Sequence, residues 1–240
     1  MTPNLTHLYT QPSLPLALFF FLTTALLVAA VYAGLRRMQP GQAARILAGM
    51  LVWLGLLGLL AGRDFFLPTT TSPPSFVVAV LPPVALGLGA LLTPAGRRFY
   101  DGLPLPFLTA LHTVRLPVEL TLYGLMLEKQ VPELMTFGGS NPDILVGLTA
   151  PVVAGLARHR SGKWLRIWHL LGTALLGNIV FRAILAAPTP LQQWAFEQPN
   201  VGVLKFPFIW LPGFIVPLVL LGHLAALRQL FRRRFPAGNF

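Results

Sequence analysis

An all-α fold, seven helices crossing a membrane in a serpentine, is what this sequence predicts, and three observations carry the prediction. The 240 residues are 55% hydrophobic and only 10% charged, where soluble domains carry about a quarter charged residues. The apolar residues fall into seven stretches near the length of about 20 residues that spans a hydrocarbon layer. The basic residues sit in every second connection, the pattern that marks the cytoplasmic side of an inner-membrane protein.

Taken in order, the stretches run over roughly 14–35, 44–62, 76–93, 105–128, 143–157, 165–187 and 206–229, within one transmembrane domain spanning 1–240. The first lacks a basic leader and its arginines follow the apolar run, so it reads as a retained helix and not as a cleaved signal. The first connection holds Arg36, Arg37 and Arg45, the third Arg97 and Arg98, and the fifth Arg158, Arg160 and Lys163, with Arg166 just beyond. The tail, 230–240, holds Arg232, Arg233 and Arg234. The second, fourth and sixth connections carry one basic residue each: Arg63, Lys129 and Lys205. This alternation puts the N-terminus outside and the C-terminus in the cytoplasm. It also assigns the formal charge of +11 to the lipid bilayer's inner face, and nucleic acid is not needed as a partner.

Several chemistries are excluded or disfavoured by composition. Without cysteine there are no disulfides, thiolate metal sites or iron–sulfur clusters. The five serines all lie in predicted connections, so a serine nucleophile inside the membrane is disfavoured. No lysine sits mid-span, which argues against a retinal Schiff base. No nucleotide loop, HExxH pattern or multi-haem histidine pattern is present. Prolines break the helices: Pro82 and Pro83 in the third, Pro117 in the fourth, Pro151 in the fifth, and Pro207, Pro212 and Pro217 in the seventh. Each removes a backbone hydrogen bond, and in lipid the freed groups need protein, water or ligand.

The candidate site is a polar stripe on the fourth helix. At about 100° per residue, His112, Arg115, Glu119 and Tyr123 share one face. Ionisable groups at that depth point to function or to mutual pairing. Arg115 and Glu119 are either a structural i,i+4 ion pair or a binding site in which Arg115 holds an anion and Glu119 exchanges a proton. As an enzyme, the catalytic candidates are Glu119 and His112. Rise per residue makes His112 level with His223 on the seventh helix, and Glu119 level with Asn178 on the sixth. Two histidines without a third ligand make a poor metal signal, so core histidines are the preferred reading of His112 and His223. His169 is expected near the inner headgroups. Arg182 is expected to snorkel outward or to pair with Asp143, Glu133 or Glu197. The ligand-binding candidates are therefore Arg115, Glu119, Tyr123, Asn178, Arg182 and His223.

Two outer connections, VPELMTFGGSNPD (131–143) and APTPLQQWAFEQPN (187–200), combine aromatics, amides and acids with Pro and Gly. They predict structured caps over an outer mouth lined by Glu133, Asp143, Gln193, Gln198 and Asn200, with Gln192 beside them. Plain interfacial loops are the competing reading.

The segments HTVRLPVELTLYG (112–124), PELMTF (132–137), TPLQQWAFEQPN (189–200) and FPFIWLP…VPLVLLGHL (206–224) resemble a group of bacterial multi-pass membrane proteins of about this length. The resemblance covers roughly the C-terminal half. It implies a bacterial inner-membrane location and supplies no activity, cofactor or oligomeric state. Three functions remain in play. The first is binding or transport of a small polar or anionic solute at the polar site on the fourth, sixth and seventh helices. The second is an enzyme acting on a lipid-like substrate, and the third a sensor or scaffold with a structural polar core.

Overall fold

The structure, a computed structural model, describes residues 2–158 and 162–232, and within them it is all-α with no strand. Arg160 and the tail residues Arg233 and Arg234 lie outside the described residues, as does most of the 230–240 segment.

Helix α1 runs over Leu14–Met38 and α2 over Pro40–Ala61. Pro40 opens α2 at a position where its missing N–H costs nothing, so a single residue, Gln39, turns the chain back. The two helices pack against each other, yet many of their large side chains, including Leu22, Leu26, Leu51 and Val52, face outward. Helix α3 (Val77–Leu92) is bent by 94° from the short helix α4 (Pro94–Asp101). Thr93 sits at the corner: its Oγ1 accepts from Gly96 N at 3.1 Å and caps α4.

The fourth stretch is divided. Helix α5 (Leu105–Ala110) passes into a 3-10 turn, Leu111–Val114, and then into α6 (Arg115–Leu127). Pro117, which cannot donate a backbone hydrogen bond, stands three residues beyond the turn. Helix α7 covers only Ile144–Leu156, and α8 covers Lys163–Ala186. The last stretch begins as a π-helical segment, Leu211–Ile215, and continues as α9, Val216–Arg232.

All seven predicted stretches are helical, but they are not seven equal spans. Among the described residues, four helical stretches are long and apolar enough to cross a membrane, or five if the bent α3–α4 pair counts as one span. The fourth stretch is cut into three pieces by its own polar and proline-containing sequence, and α7 is 13 residues long.

Polar contacts define two ends of the bundle. At one, the N-terminal arm docks on the connections after α6 and α8: Asn4 N donates to the Phe196 carbonyl at 2.7 Å, and the Glu128 carboxylate accepts from Ser13 N at 2.8 Å. At the other, Arg228 and Arg232 pair with Asp101, Gln229 Nε2 donates to the Tyr100 and Leu103 carbonyls, and the Arg166 guanidinium lies 5.9 Å from the Phe231 ring. The two termini of the described chain thus lie at opposite ends.

Candidate functional site

The polar core is built where the 3-10 turn, α6, the head of α7, α8 and α9 meet. Glycines bring these elements together. A Cβ on Gly147 of α7 would lie 2.5 Å from Leu116 N, so the α7 and α6 backbones are almost in contact. A Cβ on Gly172 of α8 would lie 2.5 Å from His223 Cε1, so the imidazole of α9 fills the space that a side chain would take.

Three histidines share that space. His112 from the 3-10 turn, His169 from α8 and His223 from α9 are all fully buried. The rings of His112 and His223 stack with centroids 3.7 Å apart, and Trp168 closes the group edge-on to His112 at 5.5 Å and to His169 at 4.9 Å. One nitrogen from each histidine can be chosen so that all three lie within 4.8 Å of one another. The hydrogen bonds set the tautomers. Thr109 Oγ1 donates to the Leu105 carbonyl at 2.8 Å, so its oxygen accepts from His169 Nε2 at 3.3 Å. His169 Nδ1 is then a bare acceptor and accepts from His223 Nδ1 at 2.8 Å. This leaves His223 Nε2 as a buried lone pair without a partner, and His112 has no partner on either nitrogen.

One turn outward lies the charged network. Arg115 Nη1 donates to Asp143 Oδ1 at 2.8 Å and to the Gly172 carbonyl at 3.2 Å. Gly172 therefore joins the network to the histidines, since His223 rests on it. Glu119 Oε1 accepts from Asn141 Nδ2 at 2.6 Å, and the same amide donates to the Met135 carbonyl at 3.1 Å. Arg115, Glu119, Asn141 and Asp143 are all buried. Arg115 Nε and Nη2, Glu119 Oε2 and Asn200 Oδ1 have no partner. Each such group costs about 1–3 kcal/mol if it stays unpaired.

Arg115, Glu119, Asp143 and Asn200 line one cavity of about 120 Å³, whose remaining wall is almost wholly aliphatic, from Val80 of α3, Leu176 and Ile179 of α8, and Leu204 and Ile215 before α9.

Several sequence expectations change here. Arg115 pairs with Asp143 across two helices, and the expected i,i+4 pair with Glu119 is not among the ion pairs of the described residues. His169 does not reach headgroups: Leu165, His169, Gly172, Leu176 and Ile179 form the buried face of α8, and that spacing was visible in the sequence. Tyr123 faces outward and stacks on Phe137 at 5.0 Å. It lies about 40° beyond Glu119 on α6, past the buried arc of Arg115, Val118, Glu119 and Leu122. Asn178 and Arg182 belong to a separate, half-buried group. Arg182 Nε donates to Asn178 Oδ1 at 2.9 Å and its guanidinium lies 5.8 Å from the Trp194 ring. Asn178 Nδ2 donates to the Ser140 carbonyl at 3.1 Å. None of the three acids proposed for Arg182 pairs with it among the described residues.

The expected outer mouth is divided too. Asp143 and Asn200 reach the cavity, whereas Glu133 and Gln193 are exposed. Gln198 is structural, with its Nε2 donating to the Met126 and Val131 carbonyls at 3.0 and 2.6 Å, and Gln192 Nε2 is held by the Trp194 carbonyl at 3.1 Å. Sequence reasoning missed Asn141, whose signal was its place beside Pro142 and Asp143. It also missed Lys205, whose ammonium is buried beneath the N-terminal arm. There it donates to the His7 and Thr10 carbonyls at 2.6 and 2.7 Å and to Gln130 Oε1 at 2.5 Å. Burial pushes the Lys205 ammonium down to about 8, with the Asp64 carboxylate acting the other way.

Fold and site together define a helical bundle with an apolar exterior and a buried histidine and arginine–carboxylate core. The chain belongs to the family described as Domain of unknown function (DUF8737), whose model matches residues 73–231. The match contains the elements that supply all three histidines, Arg115, Glu119 and Asp143. No curated protein and no solved structure matches the chain.

Proposed function

We propose that this is a seven-pass protein of a bacterial inner membrane, N-terminus outside, which binds a small amphiphilic ligand in the Arg115–Glu119 cavity. The apolar outer faces of α1, α2, α3 and α8 and the arginine-rich odd connections support the membrane assignment. For the ligand, one observation carries the reading: Arg115 Nε and Nη2, Glu119 Oε2 and Asn200 Oδ1 lack partners and belong to residues lining a single cavity with aliphatic walls. The sequence alone pointed to a polar or anionic solute. The aliphatic wall shifts that to a molecule with an apolar body, and the Asp143 carboxylate already occupies one side of Arg115. The head must accept from Arg115 and donate to Glu119 or Asn200, as a hydroxyl, a carboxylic acid or a quinol does. A volume of about 120 Å³ is close to the roughly 150 Å³ that holds benzene in an apolar cavity. The head and its first carbons or ring therefore fit inside, and the tail remains among lipid chains.

The test is thermal unfolding of detergent-solubilised protein with decane, 1-decanol, decanoic acid and a short-tailed quinol. A headed probe raises Tm in proportion to the logarithm of its concentration, about 2.7 kcal/mol at a hundredfold excess over Kd. Decane does not. Glu119→Gln, which turns the free acceptor into a donor, diminishes the effect. Equal shifts with decane, or none with any probe, would overturn the proposal.

Transport of the ligand is a second reading. It is favoured by the 3-10 turn and the π segment, broken elements that border the site from two sides as at the midplane sites of transporters. Flux of the bound probe between vesicle leaflets, lost in Glu119→Gln, tests it.

A further inference from the structure

The histidine group has a chemistry of its own, and its argument does not depend on the cavity ligand. We propose that His112, His169 and His223 form a binding site for a first-row transition-metal ion, held by three imidazoles and best matched in charge by copper(I).

Four observations lead there. Three nitrogens, one per ring, already lie within 4.8 Å of one another. Around an ion with metal–nitrogen bonds of about 2.0–2.1 Å, tetrahedral ligands sit roughly 3.4 Å apart, so modest ring rotations complete the set. Second, ring nitrogens stand unpartnered: His223 Nε2 and both nitrogens of His112, one of them a lone pair in the neutral ring, have no partner although fully buried, and His169 Nδ1 accepts only from His223 Nδ1. A hydrogen-bonded core histidine does not leave three such atoms. Third, Thr109 Oγ1 accepts from His169 Nε2 and so fixes the tautomer that presents Nδ1 to the other rings. Ligand histidines are held in this way by a hydrogen bond on the nitrogen turned away from the metal. Fourth, the rings come from three elements, the 3-10 turn, α8 and α9, and the space for them is kept by Gly172 and Gly222. A Cβ on Gly222 would lie 3.4 Å from His112 Nε2.

The ligand chemistry narrows the ion. Imidazole suits copper, zinc, iron and nickel, and no carboxylate stands among the three ligands to favour magnesium, calcium or manganese. Charge narrows it further. The three rings are neutral when they bind. The adjacent network of Arg115, Asp143 and Glu119 carries one positive and two negative formal charges when ionised, a net of −1. With one of the two carboxylates protonated the network is neutral, so a monovalent ion leaves the buried assembly at 0 to +1 and a divalent one at +1 to +2, an excess whose cost in an apolar interior grows steeply. Copper(I) meets both conditions. The stacked His112 and His223 rings separate slightly on binding, and Trp168, edge-on to two of the rings, keeps water from the ion.

The experiment uses the full chain in detergent, freed of any affinity tag and stripped by a chelator. It is then titrated with copper(I) held by bicinchoninate and, separately, with zinc. One equivalent of copper(I) per chain leaves the chelator, and X-ray absorption shows a shell of nitrogen neighbours at about 2.0 Å. His169→Gln and His223→Gln each weaken binding by about a hundredfold, and His7→Gln, in the N-terminal arm, does not. Thr109→Val weakens it about tenfold, which a merely crowded cluster would not do. No withdrawal of either metal by the wild-type protein would overturn the site, as would equal binding by the triple glutamine variant. So would a metal shell of oxygen neighbours. Should the variants fail to fold, the wild-type stoichiometry and absorption shell decide alone. Zinc at one equivalent with the same nitrogen shell, and no copper(I), would keep the three-imidazole site and overturn the monovalent assignment.

Discussion

Arg115 Nη1 donates to Asp143 Oδ1 at 2.8 Å, from the first residue of α6 to the residue that precedes α7. The ion pair therefore ties together two helices whose backbones also touch at Gly147. It is not a local device stiffening one helix.

Truncating one partner strands the other charge in the interior. Arg115→Ala and Asp143→Ala should each cost about 3–5 kcal/mol, while replacing both by apolar residues of similar volume should recover most of the loss. In the same double-mutant scheme, Arg115 with Glu119 should couple by a much smaller amount. Unfolding in mixed detergent micelles measures both couplings. A larger coupling to Glu119 would return the pair to the arrangement that helix spacing alone suggests.

The glycines of α7 provide a paired test. A methyl group at Gly147 meets the Leu116 backbone nitrogen at 2.5 Å, and backbone cannot swing aside. Gly147→Ala should push α7 off α6, lengthen the Arg115–Asp143 contact and cost about 1–3 kcal/mol. Gly155, two turns along, has nothing within 4 Å of its virtual Cβ. Gly155→Ala should be neutral or stabilising by up to about 1 kcal/mol, as helix propensity dictates. The two variants differ only in position, so their thermal midpoints need no further control.

Much of this was legible before any coordinates. Apolar runs of span length gave the helical stretches to within about five residues, because a buried face and an apolar outer face both demand them. The stripe His112, Arg115, Glu119 was legible because helical spacing alone puts those residues on one face. What spacing cannot give is the partner on another helix. Asp143 was assigned to an outer rim, and Asn141 was passed over, because both stand in a connection, yet that connection dips inward to serve Arg115 and Glu119. His169 was misplaced by its distance from the helix start, although the row from Leu165 to Ile179 already marked its face as buried. Tyr123 was misplaced for the opposite reason: a stripe drawn through four residues ignored the apolar neighbours that locate the centre of the buried arc. Continuity was the other limit. The short α7 was drawn close to its bounds, 143–157 against Ile144–Leu156, whereas the fourth stretch, drawn as one helix over 105–128, falls into three pieces set by prolines and tertiary contacts that hydropathy does not resolve.

Lys205 holds the cap at the N-terminal end of the bundle through its three acceptors, two of them carbonyls of the N-terminal arm. Lys205→Met should release that arm. Residues 4–13 should exchange amide hydrogens faster and be cut earlier by protease, with a loss on the order of 3 kcal/mol for charge-assisted bonds. The far end, where Arg228 meets Asp101, should keep its protection. Uniform loss at both ends would mean that the cap is part of the global unfolding unit and not a local clasp.

The π segment shows how a broken helix is repaired, and it yields a prediction in which two faults cancel. Pro217 has no N–H, so the Gly213 carbonyl, four residues earlier, lacks its helical donor. Trp53 of α2 supplies one: its indole Nε1 donates to Gly213 O at 2.8 Å. Trp210 returns the contact, donating to the Leu54 carbonyl at 2.9 Å, so α2 is bolted to the break from both sides. Trp53→Phe keeps the ring but strands the carbonyl, and should cost about 1 kcal/mol, in the range found for hydrogen bonds within membranes. Pro217→Ala restores an N–H that can reach the same oxygen. The double variant Trp53→Phe/Pro217→Ala should therefore be more stable than Trp53→Phe alone, with a coupling of about 0.5–1 kcal/mol. If the proline change instead adds its own loss to that of the tryptophan, the Gly213 carbonyl is not what Trp53 is there to satisfy. The π geometry must then be set by the packing of Gly213 against Leu57 and Ala79.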